Sequence, residues 1–338
     1  MIWIAVDAMG GDDAPRNVVD GALAATRHFD LGVLLVGQER AIEAELAKLD
    51  AFDAIDRSRV RILDTPDVIG MNEESPAAAL RRKPASSIKV AADAVARGEA
   101  KALVSAGHTG ATVMAAHSAF GMLPGVDRPA LAAVIPTRTR PALLLDVGAS
   151  VECRPPHLLQ FAVMGGMFAR VVYDIPTPRI GLLSIGHEAT KGNELTREAH
   201  QLLKNAPVNF IGNVEARDVY SGKADVIVCD GFTGNVALKT SEGLVELVEG
   251  LLSEELSSTF GNRVGSLFTR RAIRHFRMRV DYSEYGGAPL LGVAGVTIVG
   301  HGRSSAKAVR NAVAMAYRFA DTRFIARVGQ EIAAASPA

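Results

Sequence analysis

The sequence predicts an α/β protein, a three-layer α/β/α sandwich built around a mainly parallel sheet. Three observations carry that reading. Apolar runs rich in β-branched residues alternate with amphipathic stretches of helical period. The strand runs are apolar throughout rather than at every second residue, as strands covered on both faces are. Polar, glycine-bearing segments fall at the carboxyl ends of those strands, where open α/β sheets place their ligands.

The elements follow in order. A strand at 2–7 leads into a helix at 15–29 with Pro15 in its first turn, then a strand at 31–37 and a charged helix at 38–49. A strand at 59–65 precedes a helix at 86–98, ended by Gly98. The run 63–82 between them is the most irregular and reads as a mobile flap. Further strands are expected at 101–107, 131–137, 141–148, 179–186, 208–213, 224–231 and 295–302. Helices are expected from Thr109, at 194–204, at 233–257 and at 304–326. Repeats, low-complexity linkers and clear domain breaks are missing. The chain is therefore read as a single α/β domain over 1–338, with a basic amphipathic helical insertion around 258–280.

Composition excludes several classes. Lys and Arg total 37, as do Asp and Glu, so the chain lacks the positive surplus of a nucleic-acid coat, and no nucleic-acid partner is expected. Two cysteines make neither a disulfide framework nor a four-thiolate zinc site, which suits a reducing cytosol. The amino terminus has no basic region before its apolar run and reads as no signal peptide. Residues 102–126 and 285–302 lack Asp, Glu, Lys and Arg, but their Gly, Pro and His mark buried strand–loop–helix units rather than membrane spans. The eight histidines show no HExxH spacing, so no metal is expected. Asp7, Asp12, Asp146 and Asp230 at strand ends read as helix or loop caps before they read as magnesium ligands. Cys229 reads as a core cysteine.

Seven strand ends carry the polar chemistry: DAMGGD, SAGHTGA, DVGAS, IGHEATKGNE, GNVEARD, CDGFTGN and HGRSS. If they lie in register they form one large polar crevice. GHTG (His108, Thr109, Gly110) and GFTGN (Thr233, Gly234, Asn235) place small polar residues at helix N-termini, where free N–H groups and the helix dipole favour an anion. Lys191 and Arg217 add positive charge at neighbouring strand ends. No GxxxxGK[ST] loop is present, and Asp7, Asp12 and Asp13 would repel a pyrophosphate beside Gly10 and Gly11. Phosphate therefore fits better than a nucleotide, and no cofactor is expected. From 262 to 280 six arginines occur without an acid. There, Val264, Phe268, Ala272, Phe276 and Val280 form an apolar stripe opposite Arg263, Arg270, Arg274 and Arg277.

Taken in order, AVDAMGGD, SAGHTGA, LLLDVGAS, GLLSIGHEATKGNE, NFIGNVEARD, VCDGFTGNVALKTSEG, EYGGAPLLGVAG and HGRSSAKA resemble the bacterial phosphate acyltransferase family, PlsX. The likeness spans essentially the whole chain. It departs from the family pattern at His108 and Ser150, where Asn is usual, at Ala216, where Gly is usual, and at Arg303 and Ser305 in the last motif. The resemblance implies transfer of a long-chain acyl group from acyl carrier protein to inorganic phosphate. The acyl phosphate would feed a glycerol-3-phosphate acyltransferase at the membrane in phospholipid synthesis. It also implies a homodimer, a cytoplasmic protein peripheral at the inner face of the membrane, and a fold related to phosphate acetyltransferases and isocitrate-type dehydrogenases.

Under that reading Lys191, with Gly192, Asn193 and Asn213, is expected to bind phosphate, beside a broader substrate set of Asp7, Gly10, Gly11, the GHTG loop, Arg217 and Asp230. Thr233, Gly234 and Asn235 would complete the anion pocket or stabilise an oxyanion, and His301 would protonate the leaving thiolate. The arginine-rich insertion would dock the acidic carrier or make transient contact with an anionic membrane.

Overall fold

A computed structural model describes residues 1–50, 56–259 and 286–335, together with Arg271 and Ile273. Its strands are β1 (Ile2–Asp7), β2 (Leu31–Gly37), β3 (Val60–Asp64), β4 (Ala102–Ser105), β5 (Ala130–Ile135) and β6 (Ala142–Leu145). They continue as β7 (Ile180–Ser184), β8 (Phe210–Glu215), β9 (Val226–Val228), β10 (Ala288–Leu291) and β11 (Val296–Val299). All eleven join in one sheet, ordered β3-β2-β1-β4-β11-β10-β5-β6-β9-β7-β8. β1 to β4 and β11 run parallel to one another, as do β6 to β9. Between these blocks β10 is antiparallel to both its neighbours, and β5 is antiparallel to β6. The two parallel blocks therefore point in opposite directions.

Side chains alternate between two cores, as the two-residue period of a strand requires. Ile4, Val6, Ala102 and Val104 face one side, and Ala5 and Leu103 the other. The first side is covered by α1 (Arg16–His28), α2 (Glu39–Asp50), α6 (Pro155–Val172), α7 (Glu194–Lys204), α9 (Ala306–Asp321) and α10 (Phe324–Ala335). The second carries α3 (Pro76–Arg82), α4 (Ser87–Ala96), α5 (Thr109–Phe120) and α8 (Gly231–Ser257). This is the expected three-layer arrangement.

α6 is buried along most of its length, and Phe161 and Phe168 are wholly inaccessible. Burying such a side chain is worth roughly 1.5–3 kcal/mol. Gly165 lets the helix press onto the sheet, since a Cβ there would lie 2.6 Å from the Val226 side chain. The irregular run 63–82 folds over the sheet end, with Ile69 and Ala79 in the core and α3 opening on Pro76.

Candidate functional site

The loops after β1, β4 and β11 lace together at one end of the sheet. The Asp12 N–H donates to the Gly302 carbonyl at 2.8 Å, and Asn17 Nδ2 donates to that of Ser304 at 3.3 Å. A Cβ on Gly10 would stand 2.7 Å from the Gly107 nitrogen, so this approach needs glycine. Asp7 is buried beneath, accepting from the Ser105 hydroxyl at 2.7 Å; burial raises its pKa while the Ser87 and Ser105 hydroxyls oppose the rise.

The loops after β6 to β9 gather at the opposite end, so the seven polar strand ends form two clusters rather than one crevice. Here the polar groups satisfy one another. Asp146 accepts four backbone N–H groups, from Leu131, Gly148, Ala149 and Ser150. Burial pushes its carboxyl up to about 6 against those donors. Asp230 caps α8, taking the Thr233 N–H at 2.8 Å and its hydroxyl at 2.7 Å. A protein carboxylate therefore already sits where an anion would meet that helix N-terminus. Asn193 caps α7. Asn213 is buried between His200 Nδ1 at 2.8 Å and the Glu188 carbonyl at 2.8 Å.

α8 links the two ends. It starts beside Asp146, where Gly231 and Gly234 pack against the β6–α6 loop, and at about 1.5 Å per residue runs some 40 Å. Between it and the sheet lies a cavity of about 680 Å³. Asn235, Leu238, Lys239 and Glu242, spaced three and four apart, wall it on the helix side. Leu131, Ala133 and Val147 give it an apolar floor. The far end opens on Thr109 and Gly110 at the start of α5, on His301 to Ser305 at the start of α9, and on Asp12 and Met71. Two helix N-termini thus converge there, one capped by His108 Nδ1 and the other by the Ser305 hydroxyl.

Lys239 pairs with Glu242 at 2.7 Å, and Arg303 lies 3.8 Å from Glu246. His301 Nδ1 accepts the Arg303 N–H at 3.2 Å, which assigns the ring proton of the neutral form to Nε2. Burial, then the positive charge of Lys239 and Arg303, holds its pKa below the usual histidine value, against the pull of Glu242 and Asp12.

Of the expected residues, Thr109, Gly110, Asn235 and His301 line this cavity. Gly10 and Gly11 build the loop beneath it, and His108 caps α5. Lys191 is exposed on the β7–α7 loop with Gly192, and Arg217 is exposed and paired with Glu215 at 2.8 Å. Neither these nor Asp7, Asn193, Asn213, Asp230, Thr233 and Gly234 line the cavity. For Asp7, Asp146 and Asp230 the structure shows caps and buried acceptors, as the capping reading expected. Arg263, Phe268, Arg270, Arg274, Phe276 and Arg277 lie outside the described residues. Sequence reasoning missed Lys239, although it stands four residues after Asn235 on the same face of a predicted helix.

Known proteins agree with this architecture. A family model described as fatty acid synthesis protein matches residues 2–327. A phosphate acyltransferase of Pelotomaculum thermopropionicum is 48% identical over 329 residues, covering 97% of this chain and 94% of the relative. One from Nitratidesulfovibrio vulgaris is 50% identical over 332 residues, covering 98% and 95%. Among solved structures, a phosphotransacetylase from Streptococcus pyogenes superimposes with a TM-score of 0.64 at 17% identity, covering 95% of this chain and 94% of that one. A 4-hydroxythreonine-4-phosphate dehydrogenase from Klebsiella pneumoniae gives 0.55 at 14% identity, covering 94% and 99%. These two likenesses establish the fold. By its full-length match to that family model and its near-50% identity to relatives of that name, the chain belongs to the phosphate acyltransferase family of acyltransferases.

Proposed function

We propose that the protein transfers a long-chain fatty acyl group from acyl carrier protein to inorganic phosphate, supplying acyl phosphate to a glycerol-3-phosphate acyltransferase in phospholipid synthesis. The observation that supports this most directly is the cavity itself, which has two helix N-termini, Lys239, Arg303 and His301 at one end and an apolar floor beside them. An anion and an alkyl thioester have complementary places there.

The phosphate dianion is a competent nucleophile and needs no enzyme base. Its oxygen attacks the thioester carbonyl carbon; the tetrahedral oxyanion collapses, the C–S bond breaks, and the thiolate leaves. A thiol with pKa near 8.5 is a fair leaving group without an acid. The site must then supply proximity, neutralisation of the phosphate and donors to the oxyanion. Lys239, Arg303 and the α5 and α9 N-termini hold the phosphate, with Glu242 and Glu246 releasing the two cations to it. His301, neutral at working pH, donates from Nε2 to the oxyanion beside the Asn235 amide, a part that fits its lowered pKa better than protonating the thiolate. Lys191 and Asn213, placed away from the cavity, have no contact with substrate in this scheme.

Two partner assignments belong to the same proposal. α8 exposes Val236, Leu244, Leu247, Val248 and Leu251 on the side away from the cavity, a stripe suited to a homodimer. The arginine-rich stretch 263–279 complements an acidic carrier in charge and suits a cytoplasmic protein that visits the membrane surface. Among the described residues no helix is long and apolar enough to cross a membrane.

The test is thiol release from palmitoyl-acyl carrier protein with and without phosphate, with hydroxylamine trapping of the product. Phosphate-dependent release with trapped acyl phosphate supports the transfer. Release indifferent to phosphate makes the protein a thioesterase, and phosphate binding without release makes it a sensor.

A further inference from the structure

A second cavity, of about 640 Å³, lies on the opposite side of the sheet. Its walls are largely apolar, with Phe168 and Val171 from α6 and Ala314 and Met315 from α9, and its described lining contains no acid. Arg310 and the exposed Arg318 lie on its wall, with His28 beside them.

The sheet between the two cavities is forked. β10 pairs with β5 only at Leu290–Leu131 and Leu291–Ala130, and then turns to β11, pairing Ala288 with Val299 and Pro289 with Ile298. Beyond Leu131 the edge of β5 that faces β10 has no ladder partner among the described residues. Val134 stands on this free stretch and lines both cavities. Across the fork, Gly286 lines the front cavity, and a Cβ there would overlap Asn311, which lines the rear one. The front cavity is lined by acids as well as cations, while the rear one is walled mainly by apolar side chains, and Val134 is common to both linings.

We infer that the fork is a passage for the substrate's alkyl tail, so that the thioester reacts in front of the sheet while the distal methylenes lie behind it among Val134, Val171, Ala314 and Met315. This rests on the acyl-transfer reading above and adds where chain length is sensed. A long chain gains transfer free energy for each methylene that leaves water. A four-carbon acyl group would end before the fork and gain nothing from the rear cavity.

The experiment compares C4 and C16 acyl-carrier-protein donors at saturating phosphate in wild type, Ala314→Trp and Met315→Trp. Either indole would occupy the rear cavity from a partly exposed position on α9. The ratio of kcat/KM for C16 to that for C4 is expected to fall at least tenfold in both variants. A palmitoyl donor with a terminal diazirine should label peptides from 168–173 or 311–322. An unchanged ratio in variants that retain the wild-type melting temperature, or labelling confined to α8 and β5, overturns the passage. Absence of acyl phosphate from wild type with either donor overturns the transfer reading instead, so the two failures are distinguishable.

Discussion

The two loop clusters are built from the same vocabulary and differ in what their polar groups still have to offer. At the ends of β6 to β9, Asp146 takes four backbone N–H groups, Asp230 closes the α8 N-terminus, and Asn213 uses both sides of its amide. At the ends of β1, β4 and β11, Thr109, Gly110, His301 and Ser304 turn toward a cavity that also holds two cations. The difference teaches that a glycine-rich strand end is a binding element where its groups line an open cavity rather than being spent on buried protein partners. A carboxylate at the N-cap, as Asp230 immediately before α8, is the sign that they are so spent.

Four measurements sharpen or break that contrast. The largest effect belongs to the second cluster and concerns stability. A Cβ at Gly234 would overlap the Asp146 carbonyl, so Gly234→Ala should cost about 3 kcal/mol or prevent folding. Urea denaturation reads it, and a midpoint within error of wild type would show that α8 does not seat there as described. Next, removing the oxyanion donor with His301→Ala should lower kcat roughly a hundredfold while leaving the melting temperature near wild type. A merely structural His301 would reverse that pattern.

The pH profile follows from the same residue. A folded pKa below the usual histidine value keeps His301 neutral at pH 7, so its contribution to kcat should be lost as the pH drops through that lowered value, beneath the limb set by protonation of the phosphate dianion. His301→Gln should remove this lower limb, and persistence of the lower limb would assign it to another group. Smallest of all, Lys191→Ala should change kcat and the phosphate KM less than twofold. A tenfold rise in that KM would return Lys191 to the site and dissolve the contrast between the clusters.

Much of the fold could be read from the chain, and the reasons for the rest are physical. Strands such as 2–7 and 31–37 and helices such as 194–204 announce themselves by period. α6 does not, because a helix buried around nearly its whole circumference has no polar face to set a rhythm. β10 is four residues long with Pro289 inside it, too short and too interrupted to stand out. The reversal of the sheet had a signal that went unread. The expected strands at 131–137 and 141–148 are separated by three residues, and so short a connection can only join antiparallel neighbours. That hairpin turns the second block over and sends Lys191 and Asn213 to the other end of the molecule from His301. The cavity residues Asn235, Thr109, Gly110 and His301 were legible by type. Their assembly was not, because it depends on how far α8 reaches.

α8 has a mechanical consequence of its own. Only Gly231 and Gly234 are buried along its 27 residues, so it is fastened at one end and lies as a stave along the rest. One side of the stave is the cavity wall and the other is the apolar stripe. Under the proposed reading, a partner seated on the stripe would bear on the same helix that walls the chamber beneath.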